Sequence, residues 1–426
     1  MISTLKNIFL ISDSTENKIS YYHLLLFLIF LPFHMFYSEV ILASFTFHVL
    51  IHLDKEKLRS AFNLNNLFLI SVFLLSLLGL IYSHDLPDAY NDVEKQFAIF
   101  LFPFLLSVSG LNISKYKEFL LTAFGYTCVF VVLYLFYYSF RSIVFNDLPL
   151  SSIYSSYFTN QNFSAPIGIH ATYFSMYTVL SLIVFIHMLL GSKKISDRII
   201  YSIAIVILIA GLLQLASKSV FFAAIFIMVF IYPLFISSRQ KRWPFILISL
   251  IIVGIMIAGI SRVESFKKRY VVLLKEDLTH SSMNDEVIEP RIIRWKVAME
   301  LFRGSPIFGY GSGTEKKLLR EEYFQKKMYN SYLNELNAHN EYLSIVLKTG
   351  FIGLSIFVAT LVFGCILAWK NRDDCFMAFM VLIIVVAFSE NIMDVNKGIF
   401  FYAFFFSFFV NSLPLPASSQ KKIFEK

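Results

Sequence analysis

Charge is scarce in this sequence of 426 residues: Asp, Glu, Lys and Arg together make up 15%, against about 25% in an average soluble domain. Hydrophobic residues make up 57%. A soluble globule of this length must turn much of its surface to water, so this composition excludes one. It excludes a disordered chain for the same reason. Cysteine is scarcer still. Cys128, Cys365 and Cys375 lie far apart, with no CxxC motif and no histidine-rich company. They predict packing residues rather than a disulfide framework or a metal site. The histidines are scattered and no Asp-rich cluster accompanies them, so neither metal nor cofactor is expected. No small-residue cleavage pattern follows the polar stretch Met1–Ser20, and no cleaved leader is expected. A Gly-x-Ser-x-Gly motif and carboxylate pairs at glycosidase spacing are also missing.

What the chain has in quantity is apolar length. A spanning helix needs roughly 20 apolar residues, and the hydrophobic runs predict about twelve. They fall near Tyr21–Tyr37, Glu39–Leu53, Leu67–Tyr82, Val93–Gly110, Phe119–Phe140, Ile167–Leu190, Ile199–Ala216, Val220–Ile236, Trp243–Ile260, Glu341–Trp369, Phe376–Phe388 and Gly398–Leu413. The expected fold is all-α: a single polytopic transmembrane domain over residues 1–426, with one large periplasmic loop, 261–340, holding short helices. Forty-eight Phe and 23 Tyr suit lipid-facing and interfacial positions. No repeat of fixed period is visible.

The net charge of +8 would hint at nucleic acid in a soluble protein. Here the basic residues sit at helix ends, so no nucleic acid partner is expected. Eighteen of the 37 basic residues fall on the termini and loops of one side, including Lys55, Lys115, Lys193, Arg239 and Lys370. The short loops of the other side hold only Lys95, Arg141, Lys218 and Lys397. The positive-inside rule then places both termini in the cytoplasm and the long loop outside.

The loop is too long for a connector and too short for an independent enzyme domain. Arg291–Arg303 has helical apolar spacing with basic residues interleaved, which suits a helix at the membrane surface. A glycine-rich break follows, Gly304–Gly313, and then a charged helix, roughly Thr314–Leu336. Gly309-Tyr-Gly-Ser-Gly313 resembles a nucleotide-binding loop, but no strand precedes it, and on the outer face it would meet no ATP.

Ionisable residues at the membrane edge are costly and mark function by default. His339-Asn340-Glu341-Tyr342 opens the tenth span, Lys218 lies in the turn Ser217-Lys218-Ser219, Arg291 and Arg294 sit on the amphipathic segment, His170 lies near the outer end of the sixth span, and Glu390 and Lys397 lie between the last two. Each also has a plainer role: a helix cap for His339, a snorkelling anchor for Lys218, lipid phosphate contacts for the arginines.

The pattern Arg291-x3-Trp295-x2-Ala298, Pro306-x2-Gly309-x-Gly311-x-Gly313, His339-Asn340-x-Tyr342-Leu343, Gly350-x2-Gly353 resembles the O-antigen ligase and polymerase superfamily. Residue-level likeness concentrates in Arg291–Gly353, within a motif region of about 165–365. Ser217-Lys218-Ser219 stands where the family usually has Ser-Arg-Gly, which keeps the charge and loses the bidentate fork.

The resemblance implies a bacterial inner-membrane enzyme that moves a glycan from undecaprenyl pyrophosphate to an acceptor hydroxyl on the periplasmic side, without nucleotide or metal. It implies membrane lipids and lipid A–core, or a growing polysaccharide, as partners. By this likeness His339 is the expected base or acceptor positioner, and it and Arg291 are the expected catalytic residues. Lys218, Arg291 and Arg294 are expected on the pyrophosphate. His170, Asn340, Tyr342 and Lys397 are further candidates.

Ligase, polysaccharide polymerase and protein O-oligosaccharyltransferase share these motifs; ligase is the first choice. A lipid-linked sugar flippase or transporter is the alternative of another class, and it predicts midplane charges and helices broken at matching places in two halves. A non-catalytic export scaffold is the third reading, which the His–Arg–Lys set on one face opposes.

Overall fold

The computed structural model describes residues 9–272, 275 and 289–414. Those residues form helices and loops, with no strand among them. The described α-helices of five or more residues are α1 Thr15–Phe30, α2 Met35–Ile51, α3 Lys55–Ala61, α4 Leu64–Ile81, α5 Leu86–Val108, α6 Ile113–Phe145, α7 Ala171–Gly191, α8 Ile195–Leu215, α9 Lys218–Phe226, α10 Arg239–Arg262, α11 Arg291–Gly304, α12 Glu315–Gln325, α13 Tyr329–Leu333, α14 Glu341–Lys370, α15 Asp374–Val386 and α16 Asn396–Asn411. A π turn and a 3₁₀ turn extend α9 to Phe235. Seven described helices are long and apolar enough to cross a membrane. Two shorter apolar helices, α2 and α15, stand beside them.

Helices that are apolar all round must be buried or face lipid. Every residue of α7 from Ala171 to Ile186 is buried, and so is every residue of α16 from Gly398 to Val410. These two form the centre, around which α5, α6, α8 and α15 pack. At the other extreme, α10 buries only Ser249 and Ile260 of its 24 residues.

Several boundaries differ from the sequence reading, and two of the differences have a clear local cause. The first span runs Thr15–Phe30 instead of Tyr21–Tyr37. Ser14 Oγ accepts from the Asn17 amide at 3.2 Å and starts the helix early. Pro32 lies in the break, and His34 Nδ1 accepts from Phe36 N at 3.3 Å to begin α2. The charged helix of the loop stops at Gln325 rather than Leu336. Lys327 turns left-handed at φ 59°, and Met328 N donates back to Tyr323 O at 2.8 Å, which closes the helix end.

The glycine-rich segment has a structural task. α14 is broken at Gly350, with φ 66° and ψ −162°, a conformation open essentially to glycine alone. The break frees two carbonyls and two amides, which cannot stay unpaired in a buried helix. Tyr310 N and Gly311 N donate to the carbonyls of Leu347 and Lys348 at 2.8 and 2.9 Å. In return, Phe351 N and Ile352 N donate to the carbonyls of Pro306 and Ile307 at 2.8 and 3.4 Å. The loop thus replaces, one for one, the bonds that the helix gave up. A Cβ on Gly350 would stand 2.2 Å from the Ile307 carbonyl oxygen. Gly350→Ala should therefore destabilise the fold by at least the roughly 1–3 kcal/mol of such backbone strain, read as a lower unfolding temperature in detergent.

The same contacts seat the loop helices. Val297 and Ala298 of α11, Leu319 and Tyr323 of α12, Met328, Ala338 and Leu347 form a second small core. Through this core α11 packs against α14.

Candidate functional site

Two helix starts bring the first groups together. At α7, His170 Nδ1 accepts from Thr172 N at 3.3 Å and caps the helix. At α9, Ala216 turns the chain left-handed at φ 45°, and Ser217-Lys218-Ser219 opens the helix. Ser217 Oγ and Thr172 Oγ1 are 3.4 Å apart, so the two starts adjoin.

Glu390, in the turn after α15, is where the groups converge. His339 Nδ1 lies 3.5 Å from its Oε2, Arg291 Nη2 lies 3.9 Å from its Oε1, and Thr172 Oγ1 donates to Oε1 at 3.5 Å. Arg291 Nη1 also donates to Ser389 O at 2.8 Å. Burial pushes the Glu390 carboxyl up, but the hydrogen bond and charge of His339, with the charges of Arg291 and His170, hold it below the usual carboxylate range. It is an anion at neutral pH. Burial lowers the His170 imidazole, outweighing the opposing pull of Glu390, with His339, Arg269 and Lys397 acting in the same direction as burial.

His339 is not a helix cap. It stands at φ 47°, just before α14, and Asn340 Oδ1 caps the helix by accepting from Leu343 N at 3.2 Å. Its side chain is 31% exposed.

Beside Glu390 lies a cavity of about 570 Å³. Lys218, Arg269 and Arg291 line its polar part, and Phe222, Ile292, Trp295, Val385 and Phe388 its apolar part. Three cations face one carboxylate there. Arg269, which sequence reasoning did not single out, is held by a 2.9 Å bond from Nε to Ala216 O, the same left-handed residue that sets Lys218 in place.

The remaining candidates scatter. Arg294 is 4% exposed and donates from Nη1 to Asn337 O at 3.2 Å, turned into the loop core and away from the cavity lining. Tyr342 packs on Phe388 with ring centroids 4.5 Å apart and donates to Ile384 O at 3.0 Å. Lys397 donates to Gly168 O. The structure therefore brings Arg291 and His339 to Glu390, sets His170 within its electrostatic reach and puts Lys218 on the shared cavity.

Behind the site lies a buried polar network that sequence reasoning missed. Lys348 Nζ is 2.6 Å from Asp394, 3.1 Å from Asp92 and 3.9 Å from Glu315. Glu315 also accepts from Ala338 N at 3.1 Å, from Asn391 Nδ2 at 3.2 Å and from Ser344 Oγ. Burial and the charge of Asp394 raise the Glu315 carboxyl, against Lys348 and Ser344. One signal was available: Lys348 sits seven residues into the tenth span, about 10 Å along the helix, where an ionisable residue is expensive.

One further group gathers at the opposite end of α7. Ligand atoms of His187, Asp374 and Cys375 lie within 4.8 Å of one another. The His187 Nδ1 to Asp374 Oδ2 distance of 2.7 Å already pairs two of them. Seventeen residues of helix, about 25 Å, separate this group from His170.

A similar protein of Haemophilus influenzae, described only as uncharacterized, is 26% identical over 188 residues; the match covers 41% of this chain and 46% of that protein's length. Residues 203–358, from α8 through the loop to the broken α14, match the family model described as O-antigen ligase. That segment holds the Lys218 turn, Arg291, the glycine loop and His339, and it bears out the chain's similarity to the O-antigen ligase and polymerase superfamily.

Proposed function

We propose that this protein transfers a glycan from undecaprenyl pyrophosphate to an acceptor hydroxyl, in the manner of an O-antigen ligase, on the periplasmic face of the bacterial inner membrane. The observation that carries the proposal is the pairing of the cavity with the Glu390 cluster. Lys218, Arg269 and Arg291 stand above an apolar wall, and His339 joins that cavity through Glu390. The donor has the matching division, a dianionic pyrophosphate on a long apolar tail.

The cations neutralise the pyrophosphate as the anomeric C–O bond breaks; charge-assisted contacts in a partly dry site are strong there. Glu390 accepts from His339 Nδ1–H and leaves Nε2 free. Nε2 takes the acceptor proton as the hydroxyl oxygen attacks the anomeric carbon. Undecaprenyl pyrophosphate leaves. The leaving group is already activated, so the reaction needs no nucleotide. Both chain ends lie in the cytoplasm in this account, as the basic loops require.

A polymerase uses the same donor chemistry with a lipid-linked glycan as acceptor, and a protein O-oligosaccharyltransferase uses a side-chain hydroxyl. Gene deletion followed by lipopolysaccharide gel electrophoresis separates these. A ligase deletion leaves full-length glycan unattached to lipid A–core. A polymerase deletion leaves single units attached. An unchanged ladder contradicts both.

A further inference from the structure

The geometry points to Asn391 and Glu315 as positioning residues that set the imidazole of His339 from behind the cavity. The inference rests on the transfer reading proposed above. Neither residue lines the cavity; both act on the backbone that carries the histidine.

A non-glycine residue at φ 47° is strained by roughly 1–3 kcal/mol and persists only where its surroundings over-determine it. Around His339 they do. Four consecutive amides are each held by a different partner. Ala338 N donates to Glu315 Oε1 at 3.1 Å. His339 N donates to Asn337 Oδ1 at 3.1 Å. Asn340 N donates to Asn391 Oδ1 at 2.8 Å. Glu341 N donates to Ala387 O at 2.8 Å. The amides on both sides of the strained residue are thus fixed by Glu315 and Asn391, which are 1% and 3% exposed.

These two are bonded to each other. Asn391 Nδ2 donates to both Glu315 oxygens at 3.2 Å and to Asp394 Oδ2 at 2.8 Å. Asn391 also directly follows Glu390 in the chain. One side chain therefore fixes both halves of the His339–Glu390 pair: the imidazole through the Asn340 amide, the carboxylate through the backbone it shares. Lys348 and Asp394 brace the network against helix α14. A misplacement of about 1 Å at the reacting groups costs about a hundredfold in rate.

The test uses the full chain in proteoliposomes with undecaprenyl-pyrophosphate-linked glycan and acceptor. Asn391→Ala should lower kcat by about tenfold to a hundredfold while KM for the donor changes by less than about threefold. The same substitution made in a His339→Ala background should lower the residual rate by less than about threefold, because the residue it positions is already gone. Wild-type kcat in Asn391→Ala, or an equal loss in both backgrounds, overturns the inference. A fully active His339→Ala protein is a separate failure, which removes the site assignment and the inference with it.

Asn391→Asp keeps the shape and the Oδ1 acceptor should the alanine variant not fold. Its second oxygen would face Glu315 of α12 and Asp394 of its own loop, with Lys348 and Glu341 of α14, Asp92 of α5 and Glu390 nearby. It must carry a proton to donate as the amide did. The competent form is then the protonated one, so kcat should fall relative to wild type as pH rises. An aspartate variant that tracks wild type at every pH contradicts the proposal.

Discussion

His339→Asn should fold, bind the lipid-linked donor and transfer almost nothing. A general base contributes about a hundredfold to ten-thousandfold, and loss within that range is expected, with a small change in donor affinity. Asparagine is the informative replacement because it tolerates the left-handed backbone that His339 occupies at φ 47°. It preserves the chain path and removes only the imidazole. Helix capping does not confound the result, since Asn340 already caps α14. Near-full transfer by His339→Asn would show that the imidazole has no part in the chemistry. Glu390 stays ionised throughout the neutral range, because its carboxyl is held below the usual value. Its contribution to the pair is present there and is lost only as pH falls through that lowered value in acid.

The second large effect belongs to the cations. Removing one donor that stabilises developing charge costs about a hundredfold to a thousandfold in other enzymes. Arg291→Ala should lose that much transfer, because Arg291 both lines the cavity and reaches Glu390. Lys218→Ala should weaken use of the donor, and Lys218→Arg should be tolerated, since a guanidinium keeps the charge and adds a fork. Arg294→Ala should behave differently. Its guanidinium is turned into the loop core toward Asn337 O, so loss of folded protein is expected ahead of loss of donor affinity. Steady-state kinetics on purified variants, with unfolding temperatures alongside, separate the two patterns. Equal donor kcat/KM for wild type, Lys218→Ala and Arg291→Ala would remove the phosphate role.

Much of this was legible in the sequence, and the gaps have physical causes. Apolar runs and basic loop ends marked the helices because each run must satisfy its backbone within itself. The first span begins earlier than its apolar run because Ser14 caps the helix, and it ends earlier because the chain breaks at Pro32. His339, Arg291 and Lys218 were readable as ionisable groups at membrane edges. What joins them was not. Lys348 pairs with Asp92, 256 positions away, and no periodicity records such a contact. The glycine loop, whose likeness to a nucleotide site fails for want of a strand, has amides that serve the carbonyls freed at Gly350, a task no motif announces. Arg269 carried no motif at all; it lines the cavity with its Nε bonded to the Ala216 carbonyl. Lys348 also bears on the transporter alternative, which predicts charge within the membrane. In this structure that charge is matched by Asp92, Asp394 and Glu315 and tied to the loop, as a brace would be.

The most direct test of the account is glycan transfer by the purified protein in sealed proteoliposomes, supplied with undecaprenyl-pyrophosphate-linked glycan and lipid A–core and no nucleotide. The predicted result is glycan covalently attached to the acceptor, with undecaprenyl pyrophosphate released in equal amount. Movement of the intact lipid-linked donor between leaflets with no attachment to any acceptor would contradict it and make the protein a transporter.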